Sequence, residues 1–113
     1  MKNILVVEDD IELLETLKLL FEEEGMTVFP ASRISEAKLF VNTKETLVVL
    51  VDVNLPDGSG SRFASYIKDQ SNVTKIILMS ARDDVKDLAR KIGVDYIEKP
   101  FLFTSLLNKI TNH

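Results

Sequence analysis

The feature that most constrains the fold is an alternation of short apolar runs with segments of helical periodicity. Five runs rich in Val, Ile and Leu predict strands, at residues 4–7, 27–29, 47–51, 76–79 and 94–97. After each run, apolar residues recur every three or four positions, in sets that begin at Leu13, Ile34, Phe63, Val85 and Phe103. This alternation predicts an α/β fold with a mostly parallel sheet, helices on both faces and right-handed connections.

Local signals predict where several elements end. Gly25 and Gly93 follow the first and fourth periodic segments and are expected to end those helices. Ser32 stands just before the second helix and is expected to cap it. The third run is apolar throughout, as is typical of a strand covered on both faces. Because the connections are short and no repeat or linker interrupts them, we expect a single domain over residues 1–113.

Composition excludes several classes of function. The 113 residues include no cysteine, which rules out disulfides, thiolate nucleophiles and cysteine-ligated zinc. The net charge of −4 argues against direct binding to nucleic acid. No apolar run approaches the ~20 residues that span a bilayer, and no signal peptide is recognisable. We therefore expect a cytoplasmic protein without membrane contact.

Polar residues follow four of the five predicted strands at the same end. They are Glu8, Asp9 and Asp10 after the first strand, Asp52 after the third, Ser80 after the fourth, and Glu98 and Lys99 after the fifth. Parallel sheets bind ligands at the carboxyl ends of their strands. Clustered carboxylates repel one another unless a cation neutralises them, and hard oxygen ligands favour Mg²⁺. A lysine beside them suits a phosphoryl oxygen.

Each of these residues also has an ordinary structural explanation. The acids at 8–10 suit the first turn of a helix. Asp52 and Ser80 are residue types common in turns and caps. Lys99 before Pro100 can be a solvated lysine. The functional interpretation depends on all four signals meeting at one edge of the sheet.

Taken together, these segments resemble the receiver domains of bacterial two-component response regulators, of the chemotaxis-regulator type. The resemblance covers residues 2–110 and rests on four segments, at 4–10, 51–56 with Gly60, 77–81 and 95–101. It implies a flavodoxin-like, doubly wound (βα)₅ fold with a five-stranded parallel sheet of order 2-1-3-4-5. It also implies a signalling domain, not an enzyme, that accepts a phosphoryl group and switches conformation to control an output.

The resemblance assigns roles to individual residues. Asp52 matches the phosphoacceptor, and Lys99 matches the cationic partner of the phosphoryl group. Ser80 matches the switch hydroxyl, and Tyr96 matches the aromatic residue that turns inward on activation. Without the resemblance, Tyr96 would be interpreted as an ordinary packing residue.

The same resemblance implies a Mg²⁺ site, in which Mn²⁺ can substitute. Asp9, Asp52 and the backbone carbonyl of Asn54 match direct ligands, and Glu8 matches an acid that acts through water. Asn54 and Arg82 match positions that tune the lifetime of the phosphoaspartate, and the bond between Lys99 and Pro100 is expected to be cis.

Some residues depart from the commonest family pattern. Glu8 stands where Asp is more usual, and Ser80 stands where Thr is common. The last predicted helix, at 103–110, is short for the family. His113 is the sole histidine and is expected to lie in a solvated tail.

Two other functions stay open. A receiver-like binding module that is never phosphorylated would typically lack residues such as Asp52 or Lys99, and both are present. A haloacid-dehalogenase-like phosphatase needs a second aspartate two residues after the nucleophile, where this chain has Asn54, which cannot transfer a proton.

The implied partners are a sensor histidine kinase or phosphotransfer protein, and an output domain or downstream protein that the sequence does not identify. The chain is expected to be a monomer or a weak, phosphorylation-dependent homodimer. The mixed charges of the fourth helix are typical of a solvated face.

Overall fold

The structure is a computed structural model that describes residues 2–43 and 45–111. These residues form seven strands and five helices, which are β1 (Asn3–Val7), α1 (Ile11–Glu23), β2 (Thr27–Ala31), α2 (Ile34–Val41), β3 (Leu47–Asp52), β4 (Asn54–Leu55), β5 (Gly58–Ser59), α3 (Gly60–Ile67), β6 (Val73–Ser80), α4 (Val85–Ile92), β7 (Asp95–Glu98) and α5 (Phe103–Thr111). The five predicted strands correspond to β1, β2, β3, β6 and β7. All five predicted helices are present.

The main sheet is parallel throughout, with the strand order β2-β1-β3-β6-β7. Counting its strands alone, this is the predicted order 2-1-3-4-5, so the flavodoxin-like prediction is confirmed. The connections reverse direction at β1, which opens a crevice at the carboxyl ends of β1 and β3. The antiparallel pair β4–β5, two residues per strand, was not predicted.

The core consists of two apolar layers, one on each face of the sheet. Val49 and Val51 of β3 belong to the layer that contains Phe63 of α3. Val48 and Leu50 belong to the opposite layer, which is packed by α1 and α5. Since successive strand residues face opposite layers, both layers need apolar side chains, which explains why β3 is apolar throughout. Each fully buried large aliphatic side chain contributes about 1.5–3 kcal/mol.

The predicted glycine stops are confirmed. Gly25 and Gly93 have φ angles of 84° and 86° and stand at the ends of α1 and α4. Glycine adopts this left-handed conformation without the clash that a β-carbon would cause. At the other end of α1, the Asp10 carboxylate accepts a hydrogen bond from Leu13 N at 3.3 Å.

The predicted Ser32 cap is wrong. Helix α2 begins after Arg33, whose side chain makes no capping hydrogen bond. Instead the Asp57 carboxylate, between β4 and β5, accepts hydrogen bonds from Ile34 N at 2.8 Å and Ser35 N at 3.1 Å. The Ser32 hydroxyl donates to Glu36 and is therefore engaged elsewhere.

Two further predictions concern the chain ends and a peptide bond. The bond between Lys99 and Pro100 is cis, as expected. The prediction for His113 lies outside the described residues.

Within 2–43 and 45–111, none of the helices combines the length and apolar character needed to cross a membrane.

Candidate functional site

Three buried polar side chains lie at the carboxyl edge of the main sheet. Asp52 is the last residue of β3, Ser80 is the last residue of β6, and Glu8 follows β1. These three residues retain 7%, 2% and 1% of their accessible surface, and no other polar residue in the described part of the chain is as buried. Burying polar groups is costly unless they are paired, so their concentration at one edge makes this edge the candidate functional site.

An ammonium group joins the two buried carboxylates. Lys99 Nζ donates to Asp52 Oδ2 at 2.5 Å and to Glu8 Oε1 at 2.6 Å. The backbone of Lys99 is itself fixed, because its N–H donates to Ser80 O at 2.8 Å. The predicted proximity of Lys99 to Asp52 is confirmed, whereas its bond to Glu8 had no sequence signal.

The second oxygen of Asp52 is held by the next loop. Asp52 Oδ1 accepts a hydrogen bond from Asn54 N at 2.8 Å. Gly60 N donates to Val53 O at 2.8 Å and brings the start of α3 against this loop. A β-carbon at Gly60 would lie 1.8 Å from Asp52 O, so this close approach requires glycine.

The burial of Glu8 changes its protonation. The pKa of the Glu8 carboxyl is raised to about 7, chiefly by burial and also by the neighbouring Asp52 charge, although the bonds from Lys99 and Asp10 N act in the opposite direction. Burial lowers the pKa of the Lys99 ammonium, but its hydrogen bonds to Asp52 and Glu8 outweigh this and leave the pKa raised. Lys99 therefore stays positively charged at neutral pH.

The predicted metal ligands come together. Glu8, Asp9 and Asp52 each place one carboxylate oxygen within 4.8 Å of the others. Asp9 is exposed and faces an open cleft of about 460 Å³, which Asn54 also lines. All these donors are hard oxygens, so the residues present fit Mg²⁺ better than a softer ion.

Ser80 and Arg82 line the same cleft. Ser80 Oγ accepts a hydrogen bond from Arg82 N at 3.0 Å, so the hydroxyl also has the turn role considered from sequence. The Arg82 guanidinium is paired with Asp84, through Nε at 2.9 Å and Nη2 at 2.6 Å.

Tyr96 lies outside the cleft. It is on β7, the edge strand, where its register partner is Leu78, two residues before Ser80. Its ring is partly buried against the apolar layer that contains Phe63 and Val85. Tyr96 is thus near the strand that carries Ser80, but the two side chains are not joined by a hydrogen bond in the described structure.

Comparisons with known proteins identify the family of this chain. The family of the response regulator receiver domain matches residues 4–111. The aerobic respiration control protein ArcA of Escherichia coli (strain K12) is 38% identical over 101 residues, which are 88% of this chain and 42% of ArcA. The KDP operon transcriptional regulatory protein KdpE of the same organism is 33% identical over 104 residues, 89% of this chain and 46% of KdpE. The chain thus spans less than half the length of these relatives.

Solved structures resemble the fold closely. The CheY-like response regulator receiver domain protein from Methanospirillum hungatei JF-1 superposes with a TM-score of 0.86 at 30% identity, covering 97% of this chain and 90% of that one. Receiver domains are signalling domains, and this chain has their doubly wound sheet, with Glu8, Asp9 and Asp52 forming an acidic edge at its carboxyl ends. The chain belongs to the response regulator receiver domain family of two-component systems, whose family function is to be phosphorylated.

Proposed function

We propose that this chain accepts a phosphoryl group on Asp52 from a sensor histidine kinase or phosphotransfer protein, and that the modification changes the conformation of the domain. The observation that carries the proposal is the pairing of Asp52 with Lys99 at 2.5 Å, at the mouth of an open cleft. A buried carboxylate that served only packing would not need an open approach. A binding module that is never phosphorylated would typically lack a residue such as Asp52 or Lys99, whereas this chain has both.

The chemistry is an in-line displacement. An Asp52 oxygen forms a bond to phosphorus while the bond from phosphorus to the donor nitrogen breaks. A carboxylate is a weak nucleophile, so the reaction depends on positioning and charge neutralisation. The bond from Asn54 N orients the carboxylate, and the Lys99 ammonium neutralises charge on the transferring oxygens.

Asp9, Asp52 and the carbonyl of Asn54 would hold Mg²⁺ directly, and Glu8 would act through water. When bound, Mg²⁺, or Mn²⁺ in its place, would supply positive charge for the phosphoryl oxygens. Three carboxylate oxygens within 4.8 Å support this assignment. The bond between Glu8 and Lys99 supports an indirect role for Glu8.

Ser80 and Tyr96 form the switch. A phosphoryl group on Asp52 draws the Ser80 hydroxyl away from Arg82 N, and Tyr96 turns toward the space that Ser80 leaves. The position of both residues on neighbouring strands β6 and β7 supports this route. Arg82 and Asn54 line the cleft and tune the lifetime of the phosphoaspartate.

The wider proposals follow from family membership. Residues 1–113 act as one receiver domain that assists its own phosphorylation and slow dephosphorylation without turnover of a substrate. The phosphatase alternative has no support, because Asn54 stands where that chemistry needs an acid. The domain works in the cytoplasm, as a monomer or a weak phosphorylation-dependent homodimer, and regulates an output or partner.

Phosphorylation with acetyl phosphate and Mg²⁺ tests the central claim. Intact mass and peptide mapping should show one phosphoryl group, on Asp52. Asp52→Asn should abolish the label, since in this cleft Asp52 is the carboxylate that is held by both Asn54 N and Lys99 Nζ, and the matched control Asp69→Asn should keep it. Full labelling of Asp52→Asn would contradict the assignment. A folded wild-type chain that takes no label from acetyl phosphate or a phosphorylated donor would favour the binding module.

A further inference from the structure

A second group of charges lies on the edge strand, away from the cleft. Asp95 begins β7, and its Oδ1 accepts hydrogen bonds from Lys109 Nζ at 3.1 Å and from Tyr96 N at 2.8 Å. Lys75 Nζ lies 3.8 Å from Asp95 Oδ2. The Lys109 ammonium also lies over the Tyr96 ring, 5.1 Å from its centroid. One carboxylate therefore holds the cation that covers the ring.

The position of β7 makes this contact possible. Lys109 belongs to α5, which packs on one face of the sheet, whereas Tyr96 packs against the layer on the other face. Because β7 is the last strand of the sheet, the lysine can reach round its open edge. If the ring turned inward, it would leave the ammonium behind, since Lys109 is held by Asp95.

We infer that Lys109, anchored by Asp95, is a positioning residue that stabilises the present orientation of Tyr96 and so sets the threshold of the switch. The inference rests on the proposed function, because it gives Lys109 a part in the same conformational change. It adds a residue that touches neither the phosphoryl site nor the metal ligands.

The size of the effect follows from the exposure of the pair. A cation over an aromatic face is attracted by the negative charge density of the ring. The side chains of Lys109 and Asp95 retain 34% and 33% of their accessible surface, so water and salt weaken the contact. An exposed contact of this kind should favour the present ring orientation by about two- to five-fold.

This preference is measurable through ligand binding. Beryllofluoride, a phosphoryl mimic, binds with Mg²⁺ at the acceptor carboxylate and favours the switched state. A ligand that favours one state binds more tightly when the opposing state is weakened. Removing the Lys109 ammonium should therefore tighten beryllofluoride binding by about the same two- to five-fold.

The chain supplies its own control. It has two tyrosines, Tyr96 and Tyr66. The Tyr66 ring lies under Lys38, whose Nζ is 5.7 Å from the ring centroid. Fluorotyrosine labelling gives one fluorine resonance per ring, assigned with Tyr66→Phe. Beryllofluoride is titrated in Mg²⁺, and the Tyr96 resonance reports the apparent Kd.

Four variants separate charge from structure. Lys109→Met should tighten the apparent Kd about two- to five-fold, and Lys109→Arg should restore the wild-type value because it keeps the charge. Asp95→Asn should act in the same direction as Lys109→Met, with a smaller effect, since the lysine remains. Lys38→Met should leave the apparent Kd unchanged. Urea unfolding confirms that each variant is folded.

The outcomes distinguish the two levels of the proposal. An apparent Kd that is unchanged or weaker in Lys109→Met, while beryllofluoride still moves the Tyr96 resonance, overturns the role of Lys109 alone. Equal tightening in Lys109→Arg overturns it as well, because the charge would then be irrelevant. If beryllofluoride shifts amides around Asp52 but leaves the wild-type Tyr96 resonance unmoved, the proposed switch fails and the inference fails with it.

Discussion

Lys99 allows two carboxylates to be buried side by side. Glu8 and Asp52 are both almost fully buried, and their like charges would oppose ionisation of either one. The ammonium between them supplies a hydrogen bond to each, and the backbone bond to Ser80 O holds the lysine in place. Removing the lysine would leave an uncompensated buried charge, which is more costly than never having the pair.

The raised pKa of Glu8 predicts that stability depends on pH. Its pKa is about 7 in the folded chain and near the ordinary value of 4.5 when unfolded, so the folded state binds more protons between these values. The free energy of unfolding should therefore fall as pH rises from about 4.5 to 7, by on the order of 3 kcal/mol. In Glu8→Gln the free energy of unfolding should not show this decrease. Urea unfolding in EDTA at several pH values measures it.

A matched variant isolates this effect from other titrating groups. Glu15→Gln removes an exposed carboxylate of α1 and should keep the pH dependence of the wild type. Mg²⁺ should flatten the wild-type dependence, because a nearby cation favours the ionised form of Glu8. Identical pH profiles for wild type and Glu8→Gln would refute the buried-acid explanation.

Gly60 predicts a different kind of sensitivity. A methyl group there would lie 1.8 Å from Asp52 O, so the backbone of the acceptor residue would have to move. Gly60→Ala should cost about 3 kcal/mol of stability, near the upper end for overpacking, and slow phosphorylation by acetyl phosphate.

Gly25→Ala is the control for Gly60→Ala. A methyl group at Gly25 would meet no atom within 4 Å beyond its own chain neighbours, but the φ of +84° is strained for alanine. The substitution should cost about 1 kcal/mol without changing the phosphorylation rate. Wild-type phosphorylation by Gly60→Ala would show that the close approach does not position Asp52.

At the scale of elements, sequence patterns predicted the features that depend on residues close together in the chain. The five main strands and the glycine stops were predicted because apolar periodicity and positive φ are local properties. The cap of α2 was missed because its acceptor, Asp57, is 23 residues away from Ile34. Ser32 had the right residue type and position, but its hydroxyl bonds Glu36 instead.

The Asp57 cap ties the loop after Asp52 to α2, and it should be titratable. The hydrogen bond from Ile34 N, with that from Ser35 N, lowers the pKa of the Asp57 carboxyl. Its stabilising effect should be present above the ordinary aspartate pKa and lost as pH falls through the lowered value. Asp57→Ala should reduce Tm by a few degrees at neutral pH, and the difference should vanish in acid.

Asp69→Ala, at an exposed position after α3, should leave Tm unchanged over the same pH range. A Tm difference for Asp57→Ala that persists unchanged in strong acid would mean that its carboxylate is not the cap. Thermal unfolding followed by circular dichroism measures both variants.

At the scale of the whole molecule, the sequence predicted which residues meet but not how they bond. The rule that parallel strands present their carboxyl ends at one edge was enough to bring Asp52, Ser80 and Lys99 together. The bond between Lys99 and Glu8 joins residues 91 positions apart, and it depends on side-chain packing that no local pattern encodes. The same holds for Lys109 over Tyr96.

The acidic edge also links metal binding to the stability of the whole domain. Asp9 is exposed, and one of its oxygens lies within 4.8 Å of oxygens of Glu8 and Asp52. In EDTA, Asp9→Asn should unfold at equal or slightly higher urea concentration than wild type, since removing one acid relieves a few tenths of a kcal/mol of repulsion. In saturating Mg²⁺ the wild type should instead unfold at the higher urea concentration. A ligand present at a hundred times its Kd stabilises the folded wild type by about 2.7 kcal/mol, whereas the variant binds Mg²⁺ poorly. Glu12→Gln makes the same charge change at an exposed position in the first turn of α1 and should keep the full Mg²⁺ response. Equal stabilisation of Asp9→Asn and wild type by Mg²⁺ would exclude Asp9 as a ligand.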